Sequence, residues 1–459
     1  MVRTQRPSSA RAVGRRRRSI ALVAFALLAS ACGSSKSSAP ATTAPGTTAA
    51  VATTAAPATT AAPVTTASAT TAAATTVPPA ADAGPAKGDP FVIGFVNTEG
   101  TPGLDFPDIR KDLVATVDYL NQHGGFGGRP IKVETCVVKG SPETSQACAQ
   151  EIAGKKVQLV LLGLDLFPDY KTYKAASIPV IGVLPILPGD YAADALFLTG
   201  GNATTMAAVA KVATDAKFYG AKTIGIVSSD NAGANASAAA LEASLKVAGA
   251  TFKTVKGGDN ETDAGYQSLM REAAKDKPDL LISLYSDAGC IGTIRGRASL
   301  GIKTPVITTS ICASKDVLDV VGDDAAGWVF AGVQSDTDTP EAKVMRKILA
   351  PVMNVPEAKV TANNLGLGGL GFLGIMSLTT YANKLVAAGQ TLSGKALYDY
   401  LKTTKGLTLY GGQTTIACGD SAKYPSICTF TFPFAEYKAG GKVETIKGGE
   451  AVSSIDLLP

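Results

Sequence analysis

Histidine is nearly absent from this chain: His123 is the only one in 459 residues. A nucleophile needs an adjacent base, most often an imidazole. His123 stands in a helix-ending turn before Gly124 and Gly125, where a cation is favourable in its own right. No G-x-S-x-G elbow and no P-loop occurs. The cysteines lack the C-x-x-C spacing and partner histidines of a zinc site, so neither metal nor cofactor is expected. Residues 366–371 (GLGGLG) are glycine-rich but follow no strand-like run, which suits close helix packing better than a nucleotide. Carboxylates are plentiful, so a carboxylate-only hydrolase stays open. The reading is nevertheless of a protein that is not an enzyme.

Excess positive charge is also missing once the N-terminus is set aside. The chain is 18% charged with a formal net charge of +5. Residues 1–31 hold seven arginines and no other charge, so their removal from +5 leaves the remainder at −2. Nothing then supports nucleic-acid binding. These residues read as a signal peptide: a basic stretch ending in Arg15–Arg18, an apolar run over 20–28, and the small residues Ala29, Ser30 and Ala31. The apolar run is short for a permanent membrane span. Leu28 to Cys32 (LASAC) resembles a bacterial lipobox, in which the cysteine thiol is acylated, by palmitate or a similar chain, and becomes the new N-terminus. It departs in placing Ala29, not leucine, three residues before Cys32. A lipidated Cys32 would hold the protein outside the cytoplasm on the cell membrane.

Aromatic and charged residues are almost lacking from 33 to 87, which are mainly Ala, Thr, Pro and Ser. Such a segment buries too little apolar surface to offset its ordering entropy. We read residues 32–87 as the lipidated cysteine and a disordered tether with a reach of about 40 Å. Its Thr/Pro content also permits O-glycosylation.

From residue 89 the texture becomes α/β. Short apolar runs at 91–96, 131–135, 157–162 and 178–183 alternate with helical patterns at 108–122 and 142–154. The same grammar restarts after Gly200. Strands are expected at 223–228, 251–255, 280–284 and 305–309, with helices at 203–218, 236–248, 264–275 and 291–300. Alternating strands and helices imply parallel sheets with crossovers, and two successive series imply two similar lobes. A further strand at 328–333, helices near 342–350, 371–386 and 394–404, and a β-rich tail over 414–445 complete the chain.

Several stretches carry a resemblance. Residues 91–96 (FVIGFV), 119–131 (YLNQHGGFGGRPI), 220–227 (GAKTIGIV), 277–283 (KPDLLIS) and 300–307 (LGIKTPVI) stand in the order and spacing of the leucine/isoleucine/valine-type (type I) periplasmic solute-binding proteins of ABC transporters. The resemblance covers about 89–459 and implies two Rossmann-like lobes joined by three crossovers. The first lobe would take 88–198 plus 335–406, the second 202–332 plus 412–459. It implies a monomer, closing by a hinge over a small-molecule ligand and serving ABC permease subunits, often in amino acid transport. A ligand-sensing or cell-envelope scaffold protein of the same fold, without a transport role, is the alternative.

Apart from Cys32, six cysteines remain, an even number that favours disulfides in an exported chain. They allow fifteen pairings. Proximity in sequence suggests Cys136–Cys148, Cys290–Cys312 and Cys418–Cys428.

The family's ligand loops resemble stretches here that have lost their hydroxyls. After the third strand the chain reads Gly163, Leu164, Asp165, Leu166, Phe167, Pro168; after the fourth it reads Val183, Leu184, Pro185, Ile186. A ligand carboxylate needs donors, so a free zwitterionic branched-chain amino acid is not the expected solute. Candidate ligand contacts are Thr98 and Glu99 on the first loop, Asp165, Leu166 and Phe167 on the third, and Leu184 and Pro185 on the fourth. The second lobe offers Asp230, Asn231, Ser286, Asp287 and Ser310. Glu99, Asp165 and Asp287 suit an amine or hydroxyls, but helix capping or simple solvation is the more ordinary account of each.

Overall fold

The computed structural model describes residues 84–101, 105–333, 338–361, 365, 367–412, 414–446 and 451–459. The expected signal peptide, Cys32 and nearly all of the tether lie outside the described residues.

The first sheet is built from β1 (Phe91–Thr98), β2 (Ile131–Val138), β3 (Leu159–Leu162), β4 (Val180–Gly182) and β5 (Leu196–Phe197), in the order β2-β1-β3-β4-β5. All four pairings are parallel. Burial explains the order. Every residue of β3 is buried, as a central parallel strand covered on both faces requires, whereas the edge strand β2 mixes buried and exposed positions. The crossovers are α1 (Pro107–Gln122), α2 (Pro142–Gly154) and the short α3 (Tyr170–Ala175). Helix α1 buries Ile109, Asp112, Leu113, Thr116, Val117 and Leu120, one stripe at helical spacing. Ser141 and Thr144 form a capping box at the start of α2.

After Gly200 and Gly201 the chain enters a second sheet. Helix α4 (Asn202–Thr214) leads to β6 (Thr223–Ser229), α5 (Ala232–Val247), β7 (Thr251–Gly257), α6 (Asp263–Ala274) and β8 (Leu280–Leu284). Then come α7 (Asp287–Ser299), β9 (Val306–Thr309), α8 (Lys315–Val321) and β10 (Trp328–Ala331). The chain returns to the first lobe through α9 (Pro340–Met353), α10 (Gly369–Ala387) and α11 (Gly394–Thr403), whose apolar residues join the core of β1 and α1. The glycine-rich stretch allows α10 to lie against α1: a Cβ at Gly371 would stand 1.9 Å from the carbonyl oxygen of Ile109.

A hairpin of β11 (Leu407–Thr408) and β12 (Thr415–Ile416) follows. The tail ends in β13 (Thr431–Phe432), β14 (Phe434–Lys438), β15 (Lys442–Thr445) and β16 (Val452–Ser453). Strands β14 and β15 extend the second sheet antiparallel, giving the order β15-β14-β10-β9-β8-β6-β7. The boundary at 412 differs from the sequence reading. Ile416, Cys418 and Cys428 belong to the first-lobe core. Residues 426–428 lie along β5, where the Phe197 amide donates to the Ser426 carbonyl and the Cys428 amide to the Phe197 carbonyl. The chain joins the second lobe only near Phe430, whose carbonyl accepts from the Ser454 amide. An added disulfide-closed segment thus stays on the first lobe before the third crossing. The three bonds are Cys136–Cys148, Cys290–Cys312 and Cys418–Cys428.

Candidate ligand cleft

In open parallel sheets ligands bind outside the carboxyl ends of the strands. In both lobes these ends adjoin a crossing. In the first lobe, Pro185 follows β4 and packs on Gly201, where a Cβ would lie 2.8 Å from the proline ring. In the second, Ser310 follows β9 and lies beside Gly332, just before the chain returns.

The first-lobe loops are braced from beneath. Asn97, fully buried at the end of β1, accepts from the Leu164 amide at 3.0 Å and donates to Glu99 (3.2 Å) and to the Phe106 carbonyl (2.8 Å). The Thr98 hydroxyl donates to the Leu164 carbonyl at 2.7 Å, and the residue is fully buried, which commits it to joining the first and third loops. Glu99 is 7% exposed and accepts two bonds from Arg110, each 2.8 Å. Burial alone pushes its carboxyl up, but the bonds from Arg110 and Asn97 outweigh that and hold it below the usual value.

Asp165 is 3% exposed and faces α2, not solvent. One oxygen accepts from the Ser145 hydroxyl at 2.6 Å and from the Phe167 amide at 3.0 Å; the other is buried without a partner. Burial raises its carboxyl pKa, against those two bonds and with added repulsion from Asp190. The cap of α3 is Asp169, which accepts from the Thr172 amide. Asp190 was not singled out from sequence, yet it organises the fourth loop. It accepts from the Tyr170 hydroxyl (2.6 Å) and from the amides of Ile186 (2.7 Å) and Leu187 (2.9 Å). Leu166 and Leu184 are half-buried, and Pro185 is buried. Phe167, 39% exposed, and Leu187, 36% exposed, are the apolar side chains these loops leave open.

In the second lobe Asn231 caps α5 and also donates to Asp259 at 2.6 Å. Bonds from Ser229 and Asn231 hold the Asp259 carboxyl below its ordinary value. Asp230 is exposed and accepts from Asn235 at 3.1 Å. Helix α7 begins at Asp287, four residues before the expected start, because Ser286 takes the cap position and the small residues Ala288 and Gly289 obscure the helical pattern. Ser286 and Asp287 are both exposed, and Asp287 has φ +43°, a backbone strain of the kind that gathers at functional sites. Tyr285 lies buried beneath that turn with its hydroxyl unpaired. The Cys290–Cys312 bond ties the first turn of α7 to the turn after β9, which presents Ser310 and Ile311; Ile311 is 53% exposed.

Two α/β lobes, each with a mostly parallel sheet and loops at its strand ends beside the chain crossings, define a class of hinged binding proteins. The model of the periplasmic binding protein family matches residues 90–425, and the chain belongs to that family. Its fold is similar to that of an ABC transporter substrate-binding protein from Sphaerobacter thermophilus (19% identity, TM-score 0.62, covering 81% of this chain and all of that one). A solute-binding protein from Rhodopseudomonas palustris in complex with p-hydroxybenzoic acid is also similar (17%, 0.57, 80% and 98%). So is a branched-chain amino acid binding protein from Streptococcus pneumoniae in complex with isoleucine (16%, 0.53, 80% and 100%). A comparison with curated proteins finds no match.

Proposed function

We propose that this chain is an extracytoplasmic receptor, anchored through a lipidated Cys32, that closes its lobes on a small organic solute and delivers it to an ABC importer. The observation that carries the reading is the pair of loop sets at the strand ends of two lobes, each beside a crossing and each leaving apolar side chains open: Phe167 and Leu187 on one, Ile311 on the other. Apolar walls with a few fixed polar groups suit a small-molecule cleft. Asn231, Ser286, Asp287 and Ser310 would supply those polar groups from the second lobe. Neighbours of this fold are described as ABC transporter binding proteins, which supports the transport role.

A thermal-shift screen of small metabolites tests the receptor role, since a ligand that binds the native state raises its melting temperature. Saturable binding that compacts the molecule is expected; binding without compaction favours a scaffold. Replacing Cys32 by alanine should move the protein from the membrane fraction to the medium, and retention on the membrane would contradict the anchor.

A further inference from the structure

Resting on that receptor reading, we propose that the cleft rejects carboxylate ligands and takes an apolar solute whose polar end is uncharged or cationic. The hydrogen-bond donors around the first-lobe loops are engaged within the lobe. The Thr98 hydroxyl is bonded to the Leu164 carbonyl. Arg110 holds Glu99 through two nitrogens, and the Lys139 ammonium donates to the Glu99 carbonyl at 2.7 Å. The Ser145 hydroxyl and the Phe167 amide donate to Asp165. The Tyr170 hydroxyl and the amides of Ile186 and Leu187 donate to Asp190. Each of these cations, hydroxyls and loop amides, all among the described residues, is therefore already held by an acceptor of the same lobe.

Both acceptors on the third and fourth loops are carboxyls, and both are nine-tenths or more buried. An incoming carboxylate that took their donors would leave Asp165 or Asp190 buried and unpaired, a costly exchange. A carboxylate placed instead at the amides of residues 165 and 166 would lie beside the Asp165 carboxyl, like charge against like. An alcohol or ammonium meets neither obstacle. It brings donors of its own and takes none from Asp165 or Asp190. The apolar body of such a solute would meet Phe167 and Leu187 on the first lobe and Ile311 on the second. This extends the loss of loop hydroxyls, which argues only against amino acids, to carboxylates in general, including the benzoate and isoleucine types seen in neighbours of the same fold.

The test is calorimetric titration of the wild-type protein with tyramine, 4-hydroxybenzyl alcohol, 4-hydroxybenzoate and isoleucine, the first three sharing one ring and differing in charge. Tyramine or the alcohol should bind at least about tenfold tighter than 4-hydroxybenzoate, the discrimination expected from one unpaired buried charge. Tightest binding of 4-hydroxybenzoate or isoleucine overturns this inference and leaves the receptor reading standing. Silence of all four probes also overturns it, because apolar walls should hold one of these rings, while the receptor reading is then decided by the broader metabolite screen. In Asp190→Asn, which removes one charge, the gap between alcohol and benzoate should narrow; an unchanged gap overturns the role given to that carboxylate.

Discussion

Asp112 should cost the protein stability as pH rises through neutrality. It lies on the buried stripe of α1, only 4% exposed, and a Cβ at Gly368 near the start of α10 would stand 2.7 Å from its carboxylate oxygen. Burial pushes its carboxyl from 3.8 up to about 7, the charge of Asp108 adds to the rise, and Lys111 opposes it. The folded state therefore keeps a proton that the unfolded chain releases. Below pH ~4 both states are protonated and the residue is neutral in its effect. Between ~4 and ~7 the folded state loses ground with each step in pH, and above ~7 the penalty is complete. A shift of about three units at about 1.4 kcal/mol each sets a ceiling of about 4 kcal/mol. Local relaxation lowers it, so Asp112→Asn should gain about 1–4 kcal/mol at pH 8 and almost nothing at pH 4. Urea denaturation followed by far-UV circular dichroism at pH 4, 6 and 8 measures both slopes. Trp328, the sole tryptophan, is buried in the second lobe and serves as a fluorescence control for the lobe left unaltered. Parallel pH slopes in wild type and variant, or a variant less stable at pH 8, would show that Asp112 carries no buried-charge penalty.

Three further outcomes follow from packing. Gly371→Ala places a methyl group 1.9 Å from the Ile109 carbonyl oxygen, so α1 and α10 must part; a loss of about 1–3 kcal/mol in denaturation is expected, and an unchanged midpoint contradicts the close crossing. Replacing Cys290 and Cys312 together by serine opens a bridge between residues 22 apart, lowering second-lobe stability by up to about 3 kcal/mol, read by Trp328 fluorescence; unchanged melting contradicts the bridge's role. Asp190→Ala should speed hydrogen exchange at the Ile186 and Leu187 amides by about tenfold, and equal protection would show that the loop holds its shape without that acceptor.

The fold was largely legible because periodicity reports burial. The central strands β3 and β8 are unbroken apolar runs, and α1 carries its apolar stripe at helical spacing. The restart after Gly200 announced a second lobe, and the six cysteines after Cys32 pair with their nearest neighbours in sequence. Partners were less legible, because a polar residue's commitments are made by residues far along the chain. Thr98 looked free for a ligand, yet its hydroxyl is taken 66 positions away by Leu164. Asp165 looked like a cleft acid and turns inward to Ser145, 20 positions earlier. Asp190 left no signal beyond a polar residue after Pro188 and Gly189. The segment around Ile427 reads as second-lobe tail, but its backbone lies along β5, and backbone pairing carries little trace in side-chain pattern.

The most direct test of the central claim is small-angle X-ray scattering of the purified protein with and without a saturating ligand from the thermal-shift screen. Closure of two lobes about three crossings predicts a smaller radius of gyration in the bound state. A bound protein whose scattering is superimposable on the free protein would contradict it.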